Sequence, residues 1–259
     1  MSIDTAVLSA KAKTLLELHH SHTPVVLPTA WDAWSAKLIE SAGYSALTVG
    51  SHPLADSLGA ADGEVMTLSQ ALKTIARITA AVDIPVSADL ESGYDTEAAE
   101  LVERTLEAGV VGINIEDTVH SRGSMRSPQE HADYIAAIRA AAEDAGVHLV
   151  INARTDVYKH AEDFADPLAE TIHRLNLLEA AGADSLYPVG LPSTGVLTSI
   201  LEAVSTPVNV TAHPQHGAIP DQLSLEELTG LGVSRVSFGP LLQAALSEEA
   251  NTLLNAWKR

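Results

Sequence analysis

The chain has 259 residues, 46% of them hydrophobic and 19% charged, and no cysteine. Fifteen Lys and Arg against 34 Asp and Glu leave a formal charge of −19, which excludes the basic footprint that a nucleic-acid partner requires. The lack of cysteine excludes disulfides, thiolate metal sites and cysteine nucleophiles, and no apolar run reaches the roughly 18 to 20 residues that span a bilayer.

Residues 1–20 mix Asp4, Lys11, Lys13 and Glu17 into an amphipathic helical pattern. That is unlike a signal peptide, and a cytoplasmic location is expected. His19, His20 and His22 close this helix near its negative dipole end and read as surface residues. Val25 to Thr29 supplies a first strand, followed by Trp31, which belongs either to packing at the rim or to a pocket wall.

From here one pattern recurs five times: a helical stretch ends in glycine and runs into a short apolar segment. The glycines are Gly43, Gly109, Gly146, Gly182 and Gly232, each suited to the left-handed C-cap of a helix. The segments after them read as buried parallel strands. Two further strands open on a proline, Ile84-Pro85-Val86 and Thr206-Pro207-Val208, a position where proline is tolerated. Helix starts are marked by capping-box patterns at Thr67–Gln70, Ser127–Glu130 and Ser224–Glu227 and by Asp166-Pro167. Pro240 to Trp257 reads as a terminal helix.

Eight strands alternating with helices in about 250 residues predict an α/β fold, a (β/α)8 TIM-type barrel. An open doubly wound sheet is the competitor, but no G-x-G-x-x-G follows the first strand. No linker or charge block divides the chain, so residues 1–259 are expected to form one domain with 240–259 as a terminal helical segment.

In such a barrel the chemistry sits at the C-terminal ends of the strands, and residues two apart share a face. Asp89 and Glu91 are thereby paired at strand 3, Asn114 and Glu116 at strand 4, Asn152 and Arg154 at strand 5, Asn209 and Thr211 at strand 7. Strand 2 ends in Gly50-Ser51-His52, and the loop beyond it offers Asp62. A lone acidic residue after a strand is usually a helix cap, the reading given to Asp95 and Asp117. Several carboxylates crowded at one rim repel each other and lose solvation, a cost that a cation relieves. Hard oxygen donors without cysteine favour Mg²⁺ or Mn²⁺ over zinc, and Arg154 offers a fixed fork for a substrate carboxylate or phosphonate. His213-Pro214-Gln215-His216 resembles a metal pair, but proline gives it no helical spacing, and it reads as a loop.

Several motifs, in this order, make the chain resemble the isocitrate lyase/phosphoenolpyruvate mutase superfamily from about Pro28 to Leu246. They are Ala30-Trp31-Asp32-Ala33, Gly50-Ser51, Ser57 to Asp62, Asp89-Leu90-Glu91-Ser92-Gly93-Tyr94, Ile115-Glu116-Asp117 and Ala153-Arg154-Thr155-Asp156. The resemblance implies a (β/α)8 barrel, a homo-oligomer (tetramer or dimer) in which C-terminal helices are exchanged, and Mg²⁺ with 2-oxo acids as substrates or products. It implies Asp89 as the principal metal anchor, with Glu91, Glu116 and Asp62 acting directly or through water. Ser51 and Arg154 are implied as holders of the substrate carboxylate; Trp31, directly after strand 1, and Asn209, on strand 7, are further substrate-facing candidates by position.

The chain departs from the family pattern at three places. Glu91 stands where an Asp is usual. Thr118 to Arg126 replaces the lyases' cysteine-bearing loop and lacks the mutases' lysine, and Val189 follows Pro188 where the lyases have Glu. His120, on that loop, and Tyr94 are the remaining candidates for general acid or base. The expected reaction is Mg²⁺-dependent C–C cleavage of a small 2-hydroxy or 2-oxo dicarboxylic acid through a metal-bound enolate. The alternatives are a phosphoenolpyruvate mutase-like or phosphonopyruvate hydrolase-like enzyme acting on a P–C bond, and a catalytically silent binding or assembly protein.

Overall fold

All five glycines of the sequence repeat have left-handed backbone, with φ between +71° at Gly146 and +91° at Gly182. The computed structural model in which this is seen describes residues 4–218 and 221–258. Residues 1–3, 219–220 and 259, included in the expected domain and its terminal segment, lie outside the described residues.

The caps form where the sequence places them. Thr67 and Gln70, Ser127 and Glu130, and Ser224 and Glu227 close reciprocal capping boxes, and Asp166 accepts from the Ala169 N–H ahead of Pro167. Asp32 and Ser35 make a further box that the sequence reading did not anticipate. The helices are α1 (Thr5–His19), α2 (Ala33–Ser41), α3 (Ser51–Ser57), α4 (Leu68–Thr79), α5 (Ala98–Glu107), α6 (Pro128–Asp144), α7 (Pro167–Ala180), α8 (Thr194–Ala203), α9 (Leu225–Leu231) and α10 (Leu241–Asn255). In α4 the buried face is Leu68, Ala71, Leu72, Ile75 and Ile78, a helical stripe in which each large side chain contributes roughly 1.5–3 kcal/mol by leaving water.

Eight strands follow the predicted order. They are β1 (Val25–Leu27, resuming at Thr29–Ala30), β2 (Leu47–Val49), β3 (Val86–Asp89), β4 (Gly112–Glu116), β5 (Val150–Thr155), β6 (Ser185–Pro188), β7 (Asn209–His213) and β8 (Arg235–Ser237). Thr29–Ala30, β2, β3, β4, β5 and β6 form one parallel sheet in that order. Val25–Leu27, β8 and β7 form a second parallel set.

The sets meet twice. At Pro28 the first strand passes from one to the other, because proline has no N–H to continue a ladder; its carbonyl accepts from Thr48. Between β6 and β7 there is a single bridge, Leu186 to Val208, with the Leu186 N–H donating to Pro207 at 2.8 Å. This is a single-domain α/β fold with a mostly parallel sheet, consistent with a TIM-type barrel. At the opposite end from the site, Gly112 opens β4 because Leu15 of α1 lies against it; a Cβ there would sit 2.7 Å from that side chain.

Three expectations fail. His19 is buried, its Nδ1–H donating to the Leu15 carbonyl at 2.7 Å and its Nε2 facing Arg235, because α1 turns its last residue inward under β8. Asp95 caps nothing, since the cap of α5 is Glu97, without a side-chain bond. Asp117 is fully buried and accepts from the Thr155 hydroxyl, the Asp156 N–H and Arg174. It locks β4 to β5 and α7 rather than starting a helix. Among the described residues, no helix is long and apolar enough to cross a membrane.

Candidate active site

A cavity of about 250 Å³ lies inside the sheet, open where the strands end. Its rim carries Ser51 after β2, Asp62, Asp89 at the end of β3, Arg154 near the end of β5 and Val189 after β6. Deeper, its wall includes Asn114, Asn152, Asn209 and Arg235. The rule of alternate residues therefore holds within the strands: Asn152 with Arg154, and Asn209 with Thr211, face the same space.

Asp89 is fixed by its neighbours. Oδ1 accepts from the Glu91 N–H at 3.1 Å and from Asn114 Nδ2 at 2.9 Å. Oδ2 has a longer bond of 3.3 Å from the Ser51 hydroxyl and lies 3.9 Å from Arg154, which makes it the less committed oxygen. Asp62 stands across the cavity mouth beside His52, 3.6 Å away. Asn209 shares hydrogen bonds with Ser237.

Arg154 is held from behind by Asp156. Nε and Nη2 donate to the two Asp156 oxygens at 2.6 and 3.0 Å, and Nη1 reaches Glu116 Oε2 at 2.6 Å. The bidentate geometry fixes the plane of the guanidinium, and Tyr187 lies beneath it at 5.9 Å. Burial alone would lower the Arg154 pKa, but the carboxylates of Glu116, Asp156 and Asp89 override it and hold the group above its ordinary range.

Glu91 and Glu116 face a different neighbourhood. β3 ends at Asp89, and Glu91 has φ of +50°, so strand alternation no longer applies to it. Its carboxyl accepts from the Glu64 N–H at 2.6 Å and the Tyr94 hydroxyl at 3.0 Å. Burial, with the charges of Asp89 and Asp62, pushes Glu91 up to about 8. His120 reaches over from a tight hairpin, Thr118–Val119 paired with Ser124–Met125. Its Nε2 is 2.8 Å from Glu116 Oε1 and 3.5 Å from Glu91 Oε2, and the bond to Glu116 raises its pKa. Tyr94 and His120 line a shallow groove on the outer side of this cluster, not the cavity itself. Burial and the nearby Glu91 charge raise the Tyr94 phenol far above its usual range. Trp31 is buried and is not among the residues lining the cavity.

Among the described residues, no group of three or more His, Asp or Glu side chains converges as a ready-made metal cage. The four-carboxylate set expected from sequence is thus divided: Asp89 and Asp62 face the cavity, while Glu91 and Glu116 are tied to protein donors behind it. The donor chemistry still fits Mg²⁺ or Mn²⁺. Mg²⁺ typically takes one or two carboxylates and keeps several waters, and Asp89, Asp62, Ser51 and Asn114 offer only hard oxygens and an amide around one space.

Four residues of the site were not singled out in the sequence. Glu64 binds the turn after Asp89, accepting from the N–H groups of Ser92 and Tyr94 and from the Ser92 hydroxyl. Asp156 positions Arg154 from just beyond the end of β5; its spacing of two from Arg154 was the available signal. Lys159 lines the cavity and reaches Asp156 at 3.1 Å, from a short 3₁₀ helix at Val157–Asp163 that no motif announces. Arg235 reads in sequence as one charge within a short strand. The His213–His216 pair stacks ring on ring at 4.3 Å; His213 ends β7, paired with Gly217, and His216 lies in the turn between them rather than both standing in a loop.

Comparison with known proteins identifies the family. Residues 15–257 match the family described as phosphoenolpyruvate phosphomutase. A solved structure from Burkholderia cenocepacia J2315, provisionally described as a phosphonomutase, is 37% identical with a TM-score of 0.86, covering 95% of this chain and 99% of that one. The protein Rv1998c of Mycobacterium tuberculosis H37Rv, itself uncharacterized, is 30% identical over 88% of this chain and 83% of its own length. The 2-methylisocitrate lyase of Escherichia coli K12 is 27% identical over 91% of this chain and 80% of its own. The chain belongs to the phosphoenolpyruvate phosphomutase family, within the isocitrate lyase/phosphoenolpyruvate mutase superfamily.

Proposed function

We propose that this protein is a Mg²⁺-dependent lyase that cleaves a C–C bond in a small 2-hydroxy or 2-oxo dicarboxylic acid and releases a 2-oxo acid. One observation carries the reading: Asp89, with its less committed Oδ2, and Arg154, with its plane fixed by Asp156, face the same cavity. A hard cation and a small anion are thereby offered adjacent seats. The 2-methylisocitrate lyase relative supports a C–C bond as the target.

In this reading Asp89 and Asp62 hold the ion, in part through water. Bound there, Mg²⁺ supplies Lewis-acid stabilisation of charge developing on the substrate oxygen. Arg154 and the Ser51 hydroxyl, with the first N–H groups of α3, grip the carboxylate end and orient the scissile bond. Asp156 keeps the guanidinium from rotating. Tyr187, Val189 and Pro240 wall the cavity against water. His120 keeps its Nε2 proton between Glu116 and Glu91, and Tyr94 donates to Glu91. From that distance they set the charge of the carboxylates behind Asp89 and Arg154.

The eight strands are read as a closed barrel, supported by the β1–β8 ladder and the Leu186–Val208 bridge. We propose a cytoplasmic homo-oligomer with α10 exchanged between subunits; the exchange is supported by Leu253, Leu254 and Trp257, which are 65% or more exposed at the far end of the chain.

A second reading, action on a P–C bond as a mutase or phosphonopyruvate hydrolase, is favoured by the matched family and by the 37% identical structure. A panel of 2-hydroxy and 2-oxo diacids and phosphonates, assayed with and without Mg²⁺, separates the two. Mg²⁺-dependent release of a 2-oxo acid from a phosphorus-free substrate supports the lyase. Phosphate release or phosphorus migration from a phosphonate alone overturns it.

A further inference from the structure

Arg235 lies in the lower part of β8, in register with Asn209 and two residues below Ser237. It is 1% exposed and lines the same cavity as Asp89 and Arg154. Its Nη1 faces the buried ring of His19 at 3.3 Å, and its Nε has no hydrogen-bond partner.

The other buried arginines are provided for. Arg174 pairs with Asp117 and Glu170, Arg139 with Asp184, and Arg154 with Asp156 and Glu116. Arg126 donates to the carbonyls of Glu116 and Ser92 and lies on the Tyr134 ring. Among the described residues, no carboxylate oxygen comes within 4 Å of Arg235. Nearby in the same interior, Asn152 Oδ1 and Thr29 Oγ1 are also buried without partners.

A buried ion that lacks a counter-charge is strongly destabilising. Water in the cavity would satisfy the orphan hydrogen-bonding atoms but not the charge. Burial lowers Arg235 to about 10, which leaves it protonated at neutral pH. His19 offers no relief, because its Nδ1–H is committed to Leu15 and a second positive charge at Nε2 would repel the guanidinium.

We infer that Arg235 is the receptor for the far carboxylate of a dicarboxylic substrate, at the floor of the cavity whose rim holds Asp89 and Arg154. Arg154 already faces Asp156 and Glu116 and, in the proposed function, grips the near carboxylate, so it has nothing left for a second anionic group. Arg235 has no paired carboxylate among the described residues and feels only the more distant groups of Tyr187 and Asp89. This inference rests on the proposed function, since the near carboxylate and the metal occupy the rim. It adds that two acidic groups, separated along the depth of the barrel, define the substrate class.

The test compares 2-oxo diacids of four to six carbons (oxaloacetate, 2-oxoglutarate and 2-oxoadipate) with 2-oxo monoacids of the same length. Oxalate serves as a short ligand confined to the rim. Binding is measured with Mg²⁺ on wild-type protein, Arg235→Met and Arg235→Lys, alongside thermal melts without ligand. Wild type should prefer at least one diacid over its monoacid. Arg235→Met should lose that preference by about 10- to 100-fold, the worth of one charge-assisted contact, and keep its oxalate affinity. Arg235→Lys should retain part of the preference. The ligand-free melt of Arg235→Met should be unchanged or higher, because an unpaired buried charge has been removed.

The inference is overturned if wild type shows no diacid preference, or if the preference survives in Arg235→Met. It is equally overturned if Arg235→Met melts lower and binds oxalate and diacids equally poorly, which would mark a structural residue. A wild type that fails to bind oxalate with Mg²⁺ while still binding a diacid through Arg235 contradicts the proposed function instead.

Discussion

Replacing Asp156 with Asn tests whether Arg154 is held in place by its buried counter-ion. The Asp156 carboxylate is wholly buried and accepts from Arg154 twice, from Lys159 at 3.1 Å and from the Thr118 hydroxyl at 2.8 Å. Asn preserves the shape but removes the charge and turns an N–H₂ toward at least one of these donors. Breaking one side of a buried ion pair costs about 3–5 kcal/mol, and for a chain of this size that is roughly 10 °C in melting temperature. Glu116 remains on Nη1, so Arg154 is not expelled; it swings toward its surviving partner. A displacement of the substrate grip by about 1 Å lowers turnover on the order of 100-fold. Urea unfolding and kcat/KM on whichever acid the panel identifies give both numbers. An Asp156→Asn protein that loses under about 1 kcal/mol and keeps kcat/KM within about twofold would refute the positioning role.

Two further outcomes follow from the same contacts. Burial, and then the neighbouring Arg235 and Arg126 respectively, depress His19 and His131 to about 3. Their unfolded forms take up protons below the ordinary histidine value near 6.5 and the folded forms do not, so stability present at pH 7 is lost as pH falls. Between pH 7 and 5 each contributes a loss of about 2 kcal/mol. Glu91 and Asp117, raised to about 8 and about 6, act with the opposite sign. The measurement is therefore the difference in urea stability between pH 7 and pH 5 for wild type and His19→Gln, and an equal pH dependence in the two would contradict the assignment. Gly93→Ala should destabilise the turn after Asp89 by about 1–3 kcal/mol, since φ is +98° and the new methyl would run into the Tyr134 hydroxyl. Adding Tyr134→Phe should restore part of the loss, and a Gly93→Ala protein as stable as wild type would show the turn to be free to move.

What the sequence disclosed was what local physics decides. Capping boxes, helix-ending glycines and apolar strand segments each act within a few residues, so the eight strands and the starts of α4, α6, α7 and α9 were readable. The rim followed wherever strand alternation applied, as at Asn152 with Arg154. It failed at Glu91 because β3 ends two residues earlier and the left-handed backbone turns that side chain toward Glu64. Glu64 lies 28 residues before Ser92, a partnership that no local pattern encodes. His19 and Arg235 were opaque for the same reason: they are 216 positions apart and meet only after the first helix tucks beneath the last strand. The superfamily motifs pointed to Asp89, which faces the cavity, but they said nothing of how His120 would sit on the two glutamates in place of the usual loop chemistry.

The most direct test of the account is Mg²⁺ titration and turnover in Asp89→Asn. The substitution keeps the acceptor for Asn114 and the Glu91 N–H while removing the charge that faces the cavity. Loss of Mg²⁺ binding and of Mg²⁺-dependent turnover, with an unchanged melting temperature, is the predicted result. A variant that turns over a proven substrate at the wild-type rate would contradict it.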